Sequence, residues 1–378
     1  MSRRATGRLA IAGVGVAVLA GAIQVLLGAG TDRATQVTIA TFLALSPAPM
    51  LLAPALARAV AVRRSRGLGV RAWGSAALVR AARVDLLVLD KAGTVTTGAL
   101  RVVSVDPLDQ ADDRNLRWFA GALCHALPTP VGRAVSRLAA GGRSTEVEEV
   151  PGIGVVGSVD RHPVRVGAPA WLELPAPPSI GHVLGVEVDG RPFGTITVED
   201  TLRADAAHDV RGLHRLDLQT VLVSDDTPAR TEAAARAAGV GRWHGELDGA
   251  AQAAQVRDLR QYGRSVAVVA PYRVDGPLTV ADLAVCDSWP GPPPPYGVAL
   301  EDLDVARLGP VIAHARRAIA RARHGTLVGS IGAALTGIAA ASGALDLPVS
   351  VGLATANLAL VAGAVLRPGG AVRSATPV

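Results

Sequence analysis

Apolar and polar positions along this chain fall into two regimes. Both ends carry long uncharged stretches bounded by arginines, whereas the middle alternates short apolar runs with amphipathic or alanine-rich segments. A helix that crosses a bilayer needs ~20 mostly apolar residues. Leu9 to Gly30 and Ala34 to Ala57 meet that requirement, and only Thr31-Asp32-Arg33 separates them, so they predict a helical hairpin. Gly325 to Leu345 and Leu347 to Leu366, split by Asp346, predict a second hairpin. Arg3, Arg4 and Arg8 followed by Gly28-Ala29-Gly30 also fit a signal peptide. The second uncharged run close behind favours a retained helix.

The central region reads as α/β. Val84 to Leu89 is an unbroken Val/Leu run, the signature of a strand buried on both faces of a parallel sheet. Thr220 to Val223, Val266 to Val269 and Ala281 to Val285 repeat it, with helices predicted between them. Residues 101 to 172 break that pattern. Pro151 to Gly157 and Val164 to Gly167 alternate like short strands joined by glycine turns. The α/β pattern resumes at Val186. This predicts four helices as two hairpins and a Rossmann-like α/β domain with an α+β insertion. The hairpins are 1–62 and 311–378, the latter beginning with a juxtamembrane helix from Val311 to Arg323. The α/β domain is 63–99 with 186–310, and the insertion is 100–185.

Composition supports a membrane protein: 49% of the 378 residues are hydrophobic, only 3% aromatic, and mean hydropathy is +0.33. The net charge is +6, all but one of the 38 basic residues are arginine, and arginines gather beside the apolar segments. That placement puts both termini and the central region on the cytoplasmic side of the plasma membrane, in contact with the lipid bilayer. No basic stretch is interleaved with aromatics, so no nucleic-acid partner is expected. Cys124 and Cys286 give neither a disulfide framework nor a metal-ligand spacing.

Candidate chemistry begins at Asp90, the acid that ends the first apolar run. Sites in open α/β sheets form beyond the carboxyl ends of strands. Lys91 follows Asp90 and is the only lysine in the chain. Gly93 lets the backbone approach a phosphate, and Thr94 offers a hydroxyl donor. The second apolar run ends in Ser224-Asp225-Asp226, again a hydroxyl and an acid.

Asp90-Lys91-Ala92-Gly93-Thr94-Val95-Thr96 resembles the Asp-Lys-Thr-Gly-Thr-Leu-Thr signature of P-type ATPases, members of the haloacid dehalogenase superfamily whose aspartate is transiently phosphorylated. The resemblance covers nearly the whole chain and points to the C-terminal half of the heavy-metal-transporting branch. It implies Asp90, Lys91, Thr94, Ser224, Asp226 and Asp275 as catalytic residues and Asp90 as a Mg²⁺ ligand. It also implies ATP on an insertion where Gly152 and Gly154 match a Gly-x-Gly. Asp200 to Arg203 resembles the family's Asp-Pro-Leu-Arg. Several positions depart from the pattern. Ser46-Pro47-Ala48 stands for Cys-Pro-Cys, Thr129-Pro130 for His-Pro, Cys124 for a glutamate, and Ala168 for an asparagine. Gln252 stands for a phosphate-binding lysine, Pro271 for a Mg²⁺ carboxylate, and Val274 for an asparagine. The family's Thr-Gly-Glu actuator domain has no counterpart ahead of Leu9.

These departures predict a catalytically impaired P-type-ATPase-like protein that acts as a regulator or partner. A second reading is an active cation transporter completed by a separate actuator-bearing chain. A third is a membrane-tethered phosphatase using Asp90, although that class places an acid two residues after its nucleophile, where Ala92 stands. His125 is expected on the surface, and Asn357 is expected to join helices rather than hold an ion.

Overall fold

The computed structural model describes residues 3–175, 181–272 and 276–367. Three helices open the chain: α1 (Arg3–Leu26), α2 (Thr31–Ala44) and α3 (Ala48–Ser65). The second predicted span is therefore two helices. The break falls at Leu45-Ser46-Pro47, because proline disfavours helical geometry in the residue before it and donates no N–H. Pro54, deeper in α3, does not end that helix.

The central region begins with β1 (Val70–Trp73) and α4 (Ala77–Ala81), followed by β2 (Leu86–Asp90). Next come β3 (Thr96–Pro107), α5 (Asp113–Cys124), α6 (Pro130–Val135), β4 (Ser144–Val150), β5 (Gly154–Val159) and β6 (His162–Gly167). β7 (His182–Val188) and β8 (Arg191–Leu202) complete an antiparallel sheet in the order β3-β8-β7-β6-β5-β4. The predicted insertion of 100–185 is thus too narrow, since its sheet runs from Thr96 to Leu202. Val186 starts no return to the α/β domain. Asp189 and Gly190, both at positive φ, close a two-residue hairpin that pairs Val188 with Arg191. Leu116, Leu123, Val164, Val166 and Ile196 fill the core between this sheet and its helices.

The chain then returns through α7 (Ala206–His214), β9 (Gln219–Val223), α8 (Pro228–Ala238), β10 (Trp243–His244), α9 (Gly249–Gln261), β11 (Val266–Val269), β12 (Leu283–Cys286) and β13 (Gly297–Leu300). These strands form a seven-stranded sheet in the order β1-β13-β12-β11-β2-β9-β10. From β13 across to β10 every pairing is parallel. β2 lies between β11 and β9 with all five of its residues buried, as its apolar run predicts.

Two helices close the chain, α10 (Val305–Ala341) and α11 (Leu347–Leu366). The juxtamembrane helix and the third span expected from sequence are one continuous helix. Among the described residues, three helical stretches are long and apolar enough to cross a membrane: Thr31–Leu68 taken through its break, Val305–Ala341 and Leu347–Leu366. The apolar part of α1, Ile11–Leu26, is shorter. Arg33 joins the two hairpin tips, pairing with Asp346 at 2.9 Å and donating to the Gly343 carbonyl at 2.5 Å. The Asn357 amide donates to the Gly329 carbonyl at 2.9 Å, the interhelical role its sequence position predicts. The chain divides into two units, one holding the spans and the other the central region.

Gly154 and Gly167 face each other across β5 and β6. A Cβ on Gly167 would lie 2.5 Å from the Ile153 carbonyl oxygen and 2.8 Å from Gly154 Cα. Both neighbours are backbone, so the strands would have to part. Gly167→Ala should destabilise the central region by about 1–3 kcal/mol. Gly291→Ala, which meets no atom within 4 Å, should leave it unchanged. Thermal unfolding of the two variants against the parent checks this; equal midpoints would refute it.

Candidate functional site

The order of the parallel sheet leaves β2 in both directions, so a crevice opens at its carboxyl end. Asp90 sits there, 4% exposed. Ala92 is extended, and Gly93 has φ +78°, a conformation that favours glycine. Gly98 also has positive φ, and a Cβ there would come within 3.1 Å of the Gly93 backbone. The turn brings Thr94 inward. Its hydroxyl is fully buried and has no hydrogen-bond partner among the described residues. Such an orphan costs about 1–3 kcal/mol, and a bound oxyanion is the kind of group that would satisfy it.

The Asp200–Arg203 segment braces this turn. The Thr96 hydroxyl lies 2.8 Å from the Lys91 carbonyl and 2.5 Å from Asp200 Oδ2. Arg203 donates to the Gly93 carbonyl at 3.1 Å and pairs with Asp304 at 3.2 Å.

A second loop meets the first because Asp90 pairs with Val223 across β2 and β9. Ser224, immediately after, is buried, and its hydroxyl accepts from the Asp226 N–H at 3.0 Å. Lys91 Nζ donates to Asp226 Oδ2 at 2.5 Å. Arg230, in the first turn of α8, donates to Asp226 Oδ1 at 3.1 Å. Burial pushes the Asp226 carboxyl up, but Lys91, the Thr227 N–H and Arg230 outweigh it and hold the group below the usual carboxylate range. Arg230 also donates to the Gly181 carbonyl at 2.7 Å and lies 3.2 Å from His182 Nδ1. Burial and then the Arg230 charge push His182 down, so at neutral pH its ring accepts from the guanidinium.

Sequence reasoning missed Arg230 and His182. Arg230 had a legible signal, an Asp–Arg spacing of four residues at a helix start. His182 had none, because its approach to Arg230 crosses 48 positions. Around this charge cluster lies a cleft of about 640 Å³. Leu100, Val103, Val198 and Ala233 line its apolar wall, and Glu199, Asp200 and Asp225 add acids.

Asp90, Lys91, Thr94, Ser224 and Asp226 therefore share one end of the sheet. Asp275 lies outside the described residues. Gly152 and Gly154 line a different cavity of about 200 Å³, together with Cys124, Thr129 and Gly132. That volume is below the ~300–1,000 Å³ of sites for drug-sized ligands. Its residues serve the fold: Gly154 allows β5 to approach β6, and the Thr129 hydroxyl caps α6 by accepting from Gly132 N–H at 3.0 Å. Burial pushes the Cys124 thiol up to about 12, so it stays neutral. His125 is exposed, as expected. The described residues of this cavity do not fit a whole nucleotide.

Nor do the described donors fit Mg²⁺. Magnesium takes carboxylates and water in octahedral geometry. Asp226 is already engaged by an ammonium and a guanidinium. Pro271 brings no carboxylate beyond β11, and no group of three or more His, Cys, Asp or Glu side chains gathers among the described residues. Gln252 is buried, with its amide donating to the Leu247 carbonyl at 3.0 Å.

In the membrane unit, Ser46, Pro49, Thr355 and Asn357 line a cavity of about 220 Å³ at the helix break. It offers hydroxyls and an amide, and neither thiolate nor imidazole for a soft metal.

Comparison with known proteins agrees with this architecture. A haloacid dehalogenase-like hydrolase family matches residues 84–269. The chain is 31% identical over 290 residues to a cation-transporting P-type ATPase B of Mycobacterium tuberculosis, covering 71% of this chain and 39% of that protein. It is 31% identical over 287 residues to a copper-exporting P-type ATPase of the same organism, covering 71% and 37%. The chain thus spans about two fifths of the length of these relatives. Among solved structures, a zinc-transporting PIB-type ATPase in an E2·Pi state superposes with a TM-score of 0.75 at 22% identity, covering 95% of this chain and 62% of that one. The catalytic domain of the CPx-ATPase CopB-B gives 0.54 at 18% identity, covering 66% of this chain and 98% of that domain.

Asp226→Asn removes the acceptor that two nearly buried cations share. At pH 7 it should cost about 3–5 kcal/mol of stability. The native carboxyl titrates below its unfolded value of about 3.9. Its contribution is therefore complete above that value and is lost as pH falls through the native one. Thermal melts of parent and variant should differ at pH 7 and begin to converge only as pH falls below about 4. A difference that persists unchanged in acid would refute the assignment.

Proposed function

Taking as premise that this membrane protein is homologous to the heavy-metal P-type ATPases over about 71% of its length and carries a haloacid dehalogenase-like hydrolase domain at residues 84–269, we propose that it is a catalytically impaired relative. In this reading it sits in the plasma membrane with its central region in the cytoplasm and regulates or partners a transporting P-type ATPase chain. The observation that carries the proposal is the occupation of Asp226. Lys91 and Arg230 both bind the carboxylate that the resemblance assigns to catalysis.

Phosphoryl transfer depends on metal ions and cations that neutralise the moving charge. Here the one lysine beside Asp90 is spent on Asp226. The phosphate-binding lysine of the resemblance is Gln252, turned to a backbone carbonyl. Pro271 stands for a metal carboxylate. Loss of one electrostatic contact of this kind typically costs about a hundred- to a thousandfold in rate, and several losses together leave little turnover. In the membrane unit, the cavity at Ser46 supports no soft-metal passage.

A second reading is an active cation transporter whose actuator lies on a separate chain. The buried Asp90 and the orphaned Thr94 hydroxyl favour it, since both suit a phosphate. Purified full chain incubated with γ-labelled ATP, Mg²⁺ and copper or zinc separates the readings. Impairment predicts no hydroxylamine-sensitive label above the Asp90→Asn background. An Asp90-dependent label would overturn impairment and favour the transporter reading.

A further inference from the structure

The charges of the membrane unit are segregated. Among its described residues, the acidic side chains are Asp32, in the first turn of α2, and Asp346, at the start of α11. Asp346 pairs with Arg33 at the same tips. The opposite end carries arginines without an acid from the same unit. Arg63 and Arg64 close α3, and Arg66 follows. On α10, Arg317 and Arg323 are exposed and Arg321 is half-buried between them; Arg367 ends α11.

Packing draws these arginines together. His314 Nε2 lies 2.9 Å from the Ala61 carbonyl, joining α10 to α3. Ala53, Ala57, Ala322, Val361 and Val365 form one buried cluster across the three helices at the level where the arginines begin. Arg64 reaches the Leu366 carbonyl at 3.4 Å, at the negative end of the α11 dipole. Like charges crowded on adjacent helices repel, and Arg317 and Arg321 are a like-charged pair four residues apart. The arrangement calls for anions from outside the unit.

We propose that this end of the membrane unit is a collar that binds anionic phospholipid headgroups. The depth of the arginines points to lipid rather than a soluble anion. Each group adjoins the end of an apolar stretch, and the same helices present Leu335, Ile338 and Leu360 outward at 65%, 70% and 64% exposure. The collar continues a lipid-facing wall. Arginine suits the phosphate because its planar fork donates two parallel hydrogen bonds while its methylenes lie along the acyl boundary. One arginine near an anionic surface strengthens association roughly fivefold.

The test uses the full chain reconstituted in phosphatidylcholine vesicles with spin-labelled phosphatidylglycerol or spin-labelled phosphatidylcholine. Electron spin resonance reads the fraction of each that the protein immobilises. Phosphatidylglycerol should be preferred at least about fivefold at low salt, with the preference falling as salt rises. A combined Arg317→Gln, Arg321→Gln and Arg323→Gln variant should bring it close to unity. Should that variant fail to fold, Arg63→Gln with Arg66→Gln should halve the preference or more. Arg33→Gln, at the opposite tip, should leave it unchanged. Equal association of the two lipids, or a preference that survives loss of the arginines, overturns the proposal. Abolition of the preference by millimolar inorganic phosphate at constant ionic strength overturns it too, because the collar would then be a soluble-anion site.

Discussion

The Asp226 carboxylate holds the central region's chemistry in place. It receives Lys91 from the loop after β2, Arg230 from α8 and the Thr227 N–H from its own turn. A carboxylate at 12% side-chain exposure, paired with cations at 13% and 22%, is stable only while all three stay engaged. The pairing therefore fixes where both loops point. Through Arg230 it also reaches Gly181 and His182, so the insertion is tied to the same carboxylate that orders the sheet end.

The cluster has a chemical consequence as well as a structural one. A lysine beside a candidate phosphoryl acceptor is useful when it can meet the phosphate. Here its ammonium is committed to a neighbour within the fold. Asp90 and the unpartnered Thr94 hydroxyl lie at the same sheet end, where the Lys91 and Arg230 cations are both paired with Asp226. The insertion follows the same logic. Gly154 and Thr129 serve strand approach and helix capping, and the cavity beside them is small.

The membrane unit shows how far small residues shape such a protein. Gly325 and Gly329 let α10 lie close against Pro49, Ala53 and Val361. Gly332 leaves room for the Asn357 amide, which a Cβ there would meet at 2.3 Å. That closeness collects the arginines of three helices at one end and leaves the two acids at the other.

Much of this was legible in the residues alone. Unbroken Val/Leu runs mark buried parallel strands wherever they occur, because a strand covered on both faces has no polar side to show. Long uncharged runs edged by arginine mark spans for the same reason. The order Asp-Lys-x-Gly-Thr placed Asp90 at a strand end, since that chemistry is local. The sequence was less informative wherever pairing was long-range. Val186 read as a return to the parallel sheet, although the Asp189-Gly190 turn, itself a local signal, folds it into the antiparallel one. The break at Ser46-Pro47 was visible as prolines but not as the end of a helix. The engagement of Lys91 with Asp226, 135 positions away, and of Arg230 with His182 depends on which loops the sheet order brings side by side. Residue types and periodicity follow from local geometry; partners across the fold are set only when strands find their neighbours.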